Sequence, residues 1–477
     1  MSQDLAISSE RDLTLDLATF YSNLQYEDLP DKVFHIAKAS ILNSIGCGLS
    51  AVVLEPWKKM FAALDVAGKE PRPATILTCS ERGSVEDATM LNGLAMTARF
   101  FDDTHLGTVV HPSGPPLAAA LAYAEAYHLS GKDVLLAFVV GVEAMLAVAA
   151  ALGLGPYKRG WHLTSMTGTF GATVAIAKLM ALSSDQTANA IGHASSMAAG
   201  TRGVFGTDTL IMHAGRAAQN GLLSARLAKE DFGSTTHALE KWIKLIGDED
   251  SDTSLLSPGM AKERRWMILD NTFKPYPCGI VIHPSIDAGI AAHDFFFAGK
   301  EAVLKEQSPQ DALDIFSSIE ATVTPLTMKL CGVKHPTQFM QTIFSTYHGL
   351  ACALLSGRAG IREFSMEIAD LPWLKALRDR ITFVTDESFA DDQASVKIKY
   401  NAPGDSQQER TFTIEHASGS LLNPMTDDQL AEKFKDQATV GGITEDIADS
   451  TLEQLWTLES VDRVQSIMKN LVPVSET

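Results

Sequence analysis

The segment Val134 to Gly155, "VLLAFVVGVEAMLAVAAALGLG", leaves a chain only two choices. As a helix it is long enough to cross a bilayer, and Glu143 is its only charge. An acid at mid-span costs roughly 2.5–3.5 kcal/mol in lipid, and neither a Lys/Arg-rich flank nor an aromatic belt frames the run. It therefore reads as a helix buried on all sides, which needs a large helical domain around it. A chain of 477 residues, 45% of them hydrophobic, supplies that core and has room for two or three domains.

Helix signals dominate the first part of the chain. Ser130-Gly-Lys-Asp133, Ser183-Ser-Asp-Gln186 and Ser9-Glu-Arg-Asp12 read as capping boxes or close variants, and a helix is expected from Pro115 to Tyr127. After Lys274 the texture changes. "SSIEATVTPLT", "DRITFVTDESF", "SVKIKYNA" and "RTFTIEHA" alternate apolar with polar residues, as half-exposed strands do. Helical patterns interrupt them at "FMQTIFSTYHGLACALLSG" and "LPWLKALRDR". The helical pattern returns at Pro424, with a capping box at Thr426-Asp-Asp-Gln429. The expected fold is mainly α: an all-helical domain built from residues 1–270 and 421–477, with a smaller α+β domain inserted at 271–420.

Charge and cysteine usage remove several functions. A net charge of -19 without any Lys/Arg cluster argues against nucleic acid. Five scattered cysteines with no CxxC pair suggest no disulfide framework, zinc site or iron–sulfur cluster, and fit a reducing compartment. The acidic, polar opening "MSQDLAISSERDLTLDL" matches neither a secretory signal nor a transit peptide, so a cytoplasmic protein that does not associate with membrane is expected.

Candidate chemistry gathers in four stretches. "FFDDTHLGTVVHPSG" holds Asp102, Asp103, Thr104, His105 and His111, an unusual density of titratable groups for a loop. "KRGWHLTSMTGTFGA" puts His162 before Gly168 and Gly171, small residues that let a ligand approach the backbone. In "FGTDTLIMHAGRAAQNG", His213 and Arg216 are one helical turn apart and so share a face. "FKPYPCGIVIHPSIDAG" places Lys274, Tyr276 and His283 beside stiffening prolines. Each has a plainer reading: a hydrogen-bonded structural histidine, an Asp102 that bonds its own turn, a solvated Lys274. HExxH, a Walker lysine, a dinucleotide GxGxxG and GxSxG are all missing from the sequence, so spacing alone supports only an acid/base site without metal or cofactor.

"DDTHLGTVVHPSG", "GWHLTSMTGTFGA", "GTDTLIMHAGRAAQNGLLSA" and "FKPYPCGIVIHP" resemble, in order and spacing, the motifs of the MmgE/PrpD family, along almost the whole chain. That family includes 2-methylcitrate dehydratase, cis-aconitate decarboxylase and iminodisuccinate epimerase. The resemblance implies a helical domain from both chain ends, an α+β lid, a cleft between them and a homodimer. It also implies a di- or tricarboxylic acid substrate and proton transfer at carbon next to a carboxylate, with no metal or organic cofactor. Such a reaction builds charge on an anionic group, so the pocket needs cations and donors. Lys274 and Arg216 are expected to supply them, with Arg99, Lys158 or Arg202 in reserve. His111 and His162 are the expected acid/base pair, because a histidine can play either role near neutral pH. Lys274 joins them as a catalytic candidate. Asp102, Asp103, Thr104, His105, His213, Arg216 and Tyr276 are the expected substrate contacts.

Two positions depart from the family pattern. Phe100 stands where members usually have an aspartate, and Leu210 where a lysine follows threonine. The paired change suggests that Phe100 and Leu210 line a substrate pocket suited to an alkylated acid. The leading expectation is therefore a dehydratase of a 2-methylcitrate or alkylcitrate type acid. A decarboxylase, an epimerase or a non-catalytic protein of the same fold are the alternatives.

Overall fold

The computed structural model describes residues 12–256, 266–297, 313, 315–402 and 406–473 and is predominantly helical. The chain packs into two compact units. The first takes residues up to Ala98, then Asp102–Asn271 and the chain from Asp427 on; the second takes Arg99–Phe101 and Thr272–Thr426. Nothing in the sequence pattern signals the three-residue excursion at Arg99–Phe101.

The first unit contains α1 (Leu13–Asn23), α2 (Asp31–Leu49), α3 (Glu55–Leu64), α4 (Val85–Thr97), α5 (Gly114–Ala126), α6 (Gly131–Leu152), α7 (Gly155–Arg159), α8 (Leu163–Leu179), α9 (Ser184–Met197), α10 (Asp208–Lys229) and α11 (Ala238–Ile246). Late helices at Asp427–Val440, Glu445–Trp456 and Gln465–Met468 also belong to it. The capping boxes form as read: Ser130 with Asp133 starts α6, and Ser183 with Gln186 starts α9. The signal at Ser9 to Asp12 lies outside the described residues except for Asp12, the N-cap of α1.

The apolar run is α6, and 89% of its most apolar window is buried within the protein. Glu143 does not go unsatisfied there, since its Oε1 accepts the Ile268 N–H at 2.7 Å. Helix α8 packs between α6 and α10 at separations only glycine permits. A Cβ at Gly171 would sit 2.8 Å from Met145 Cβ, and one at Gly221 would sit 2.6 Å from the Thr173 backbone nitrogen. A Cβ at Gly168 would meet Pro115 Cγ at 2.8 Å. Gly168 and Gly171 therefore serve helix packing, and the ligand approach expected there is corrected: the space is filled by neighbouring helices.

Helix α2 closes against the late helix Asp427–Val440. Lys433 Nζ donates to Asn43 Oδ1 at 2.7 Å, and a Cβ at Gly46 would lie 3.2 Å from the Phe434 ring.

The second unit is built on a four-stranded sheet in the order Ile381–Thr385, Phe316–Val323, Ala394–Ala402, Ser406–Ile414. The first pair is parallel and the other two antiparallel. Alternation puts Ile319, Ala321, Val396, Ile398 and Phe412 on one face. That face packs on α12 (His283–Phe297) and the helix Thr346–Ser356. The stretch read as one helix from Phe339 is two. Ser345 interrupts it and accepts the His348 N–H at 3.0 Å, starting the second helix as its N-cap.

Candidate functional site

In the first unit, one site forms where α8 begins. His162 is the N-cap of α8 with an extended backbone, and its N–H donates to Gly200 O at 3.0 Å. Gly200 has φ +133°, and a Cβ there would strike Ser165 Oγ at 2.5 Å, so only glycine lets this strand-like turn lie against α8. His213, from the buried stripe of α10, meets His162 with the two Nδ1 atoms 2.8 Å apart.

Nitrogens of the same kind at that distance hold a single proton between them. In the neutral pair one ring donates its Nδ1–H and the other accepts, so their tautomers are opposite. Burial holds His162 well below the ordinary histidine pKa, and positive charge on His213, His111 or Arg202 lowers it further. Burial lowers His213 as well. Phe205 packs edge-on against His162, with ring centroids 5.2 Å apart.

His111 follows a tight loop closed by His105 N–H on Val110 O at 2.9 Å, in which Val109 has φ 55°. A β-branched residue there is strained, so the loop is held by its hydrogen bonds. His111 Nδ1 donates to Asp103 O at 2.7 Å; because a carbonyl only accepts, the neutral ring carries its lone pair on Nε2. Thr104 Oγ1 lies 3.2 Å and Asp102 Oδ2 3.7 Å from the same Nδ1. The backbone of His111 donates to Thr164 Oγ1 in the first turn of α8 at 3.0 Å. His111 thus has an oriented ring with a carboxylate beside it to complement the charge it gains on protonation.

Several expected substrate contacts turn out to be internal. Asp103 is fully buried, and its Oδ2 accepts from Ser113 Oγ and from Asn271 Nδ2 at 2.5 Å. His105 is 5% exposed and its Nδ1 bonds Thr108 Oγ1 at 2.8 Å, so its ring braces the loop. Arg216 is exposed and donates to Gln219 Oε1 at 3.1 Å. Three residues advance a helix by 300°, which is 60° short of His213 and outside the buried stripe. Leu210 is buried in the first turn of α10.

Burial is also the main cause that raises the Asp103 pKa to about 6; the Asp102 charge adds, and the Ser113 and Asn271 hydrogen bonds oppose it. Above pH 6 this carboxylate is charged in both folded and unfolded chains, and the fold bears the full cost of burying it. Between pH 6 and 3.8 only the folded state takes up the proton, so the cost fades. The full cost is on the order of 3 kcal/mol. Asp103→Asn keeps an acceptor oxygen, and we expect it to raise Tm relative to wild type at pH 8, with the gain shrinking steadily as pH falls from 6 to 5. Melting curves showing the same offset at every pH would remove Asp103 as the titrating group.

The second unit holds the remaining candidates. Lys274 is buried and its Nζ donates to Phe100 O at 3.2 Å. Phe100, with φ 55°, stacks edge-on against Phe344, with ring centroids 5.4 Å apart. The Tyr276 hydroxyl donates to Asp287 Oδ1 at 2.5 Å, and burial, then Asp287, pushes its pKa far above the ordinary value. The half-buried Tyr276, expected as a substrate contact, thus has its hydroxyl engaged as a donor to Asp287. His283 lies buried at the start of α12 against the Tyr276 ring. No group of His, Cys, Asp and Glu suited to a metal ion occurs among the described residues. Motif reading missed Phe205, Asn271 and Asp287, which lack a distinctive spacing.

Sequence comparison decides the family. The MmgE/PrpD N-terminal domain matches residues 15–244 and the MmgE/PrpD C-terminal domain matches residues 276–458. The chain belongs to the MmgE/PrpD family. Among its MmgE/PrpD relatives, the cis-aconitate decarboxylase-like protein oryM of Aspergillus oryzae is 32% identical over 234 residues. That match covers 47% of this chain and 48% of oryM, about half the length of each. The cis-aconitate decarboxylase of Aspergillus terreus is 23% identical over 95% of this chain and 94% of its own length. The cis-aconitate decarboxylase of Homo sapiens is 24% identical over 97% and 92% respectively. By their names these relatives are decarboxylases or decarboxylase-like, a lyase type of reaction.

Proposed function

We propose that this chain is a lyase acting on a di- or tricarboxylic acid, with His111 and the His162–His213 pair moving protons at carbon next to a carboxylate. The observation that carries the reading is the contact between two buried imidazoles, neutral at cytoplasmic pH, that hold one proton in common. A neutral pair offers a lone pair for proton removal, while His111 beside Asp102 is placed to give a proton.

Decarboxylation of a cis-aconitate-type acid is the first reaction to test, because relatives aligned over more than nine-tenths of the chain carry that name. There the bond between carbon and a carboxylate breaks, its electron pair moves into the conjugated system, and carbon takes a proton from imidazole. Dehydration of an alkylcitrate is the second reading, favoured by apolar Leu210 where the family pattern has lysine. There a base removes the proton next to the carboxylate and hydroxide leaves as water with an imidazole proton.

The purified protein is incubated with cis-aconitate, 2-methylcitrate and longer alkylcitrates, and carbon dioxide release and appearance of a new double bond are followed. Carbon dioxide from cis-aconitate supports the first reading, and water loss from alkylcitrates the second. Turnover of none of these acids, together with no binding of any, would sink both and leave a non-catalytic protein of this fold.

A further inference from the structure

We infer that Arg202 is a carboxylate-binding residue of this site, the group that grips one end of an anionic substrate beside the histidine pair. The inference rests on the polycarboxylate reading above. Its basis is an arginine held in place with its charge unanswered.

The backbone fixes where Arg202 sits. His162 N–H donates to Gly200 O at 3.0 Å and Arg202 N–H to Gly160 O at 2.7 Å, with Trp161 and Thr201 bridged between them. This short antiparallel contact joins the turn that carries His162 to the turn that carries Arg202. Beyond it, the guanidinium sits over the Tyr157 ring, with Cζ 3.9 Å from the ring centroid, and 5.5 Å from the centroid of Phe205. Phe205 is the ring that packs edge-on against His162.

The guanidinium is poorly matched from within. Of its five N–H donors, Nη1 to Tyr157 O at 2.9 Å makes its one side-chain hydrogen bond among the described residues. Nε is buried with no partner, and no carboxylate pairs with Arg202 among the described residues. An always-charged fork stacked on an aromatic ring loses little freedom when it binds, and its geometry matches a carboxylate through two parallel hydrogen bonds. The same charge opposes protonation of His162. A cation kept beside a histidine whose protonation it opposes, with its donors left over, is arranged for an anion that arrives with the substrate.

Binding of tricarballylate, a saturated tricarboxylate with no leaving group, is measured by calorimetry on wild type, Arg202→Met and Arg202→Gln, and steady-state kinetics follow on any acid the protein turns over. Arg202→Met is expected to weaken Kd and raise KM by about 10–100-fold with kcat within a few-fold of wild type. Because it removes positive charge near His162, the acid limb of the pH profile should also move to higher pH. Arg202→Gln keeps a planar amide on Tyr157 and should show the same loss, so it decides the matter should the Met variant fail to fold. Wild-type Kd and KM in either folded variant would overturn the role of Arg202. If wild type itself binds neither tricarballylate nor cis-aconitate, the polycarboxylate reading fails instead.

Discussion

Replacing His162 with alanine should lower kcat by about 10²–10⁴-fold, and His111→Ala should do the same, with each variant melting within a few degrees of wild type. His162 and His213 share one proton across 2.8 Å, so they act as one unit. His213→Ala should therefore be nearly as harmful as His162→Ala, and the double variant little worse than either single one. The pH profile adds a second reading. Burial depresses both rings, so the acid limb of kcat/KM should fall below pH 6.5. A His162 variant that melts early and keeps its specific activity would return this residue to a purely structural role. Losses in the two single variants that simply add in the double would break the shared-proton account.

Gly221→Val should destabilise the protein by about 3 kcal/mol, the upper part of the range for overpacking a close helix contact. The Cβ alone would fall 2.5 Å from Ala172 Cβ and 2.6 Å from Thr173 N, and backbone cannot yield as a flexible side chain can. Helices α8 and α10 must part, and α10 carries His213. Activity should therefore drop even at temperatures where the variant stays folded. Gly233, with nothing within 4 Å of an added Cβ, is the control: Gly233→Ala should change stability by no more than about 0.5 kcal/mol. Thermal and denaturant melts on both variants check this. Equal, small effects would mean that the helices tolerate more separation than their packing indicates.

Periodicity and caps made most of the fold legible. Alternation in Ala394–Ala402, and from Ile319 to Val323 beyond a register shift at Phe316–Ser318, marks a sheet with one covered face, and the serine-led boxes at Ser130 and Ser183 mark helix starts by a hydrogen bond local to four residues. The site was legible only in part, because a motif shows which groups are near in sequence and not which way they turn. Arg216 is in the right stretch but 60° off the buried stripe. Asp103 acts on His111 through its backbone carbonyl, which no side-chain motif reports. Gly168 and Gly171 fit both a ligand and a neighbouring helix, and only packing separates the two. Arg202 was visible as a spare cation, but its position beside His162 depends on hydrogen bonds between residues about 40 apart.

The seam between α2 and the helix Asp427–Val440 bears on how the protein is made. Asn43 and Gly46 receive Lys433 and Phe434 only after everything between them has left the ribosome. At roughly 5–20 residues per second, that face of α2 waits for on the order of tens of seconds. During that time the nascent first unit leaves open the face of α2 that carries Ala39, Asn43 and Gly46, all three buried at the end. The second unit, whose sheet and two covering helices lie within one continuous stretch from Thr272 to Thr426, can complete its own core before the first unit closes. Completion of the two units thus runs against chain order: the part begun first is finished last, and its unfinished face is where a chaperone would be needed.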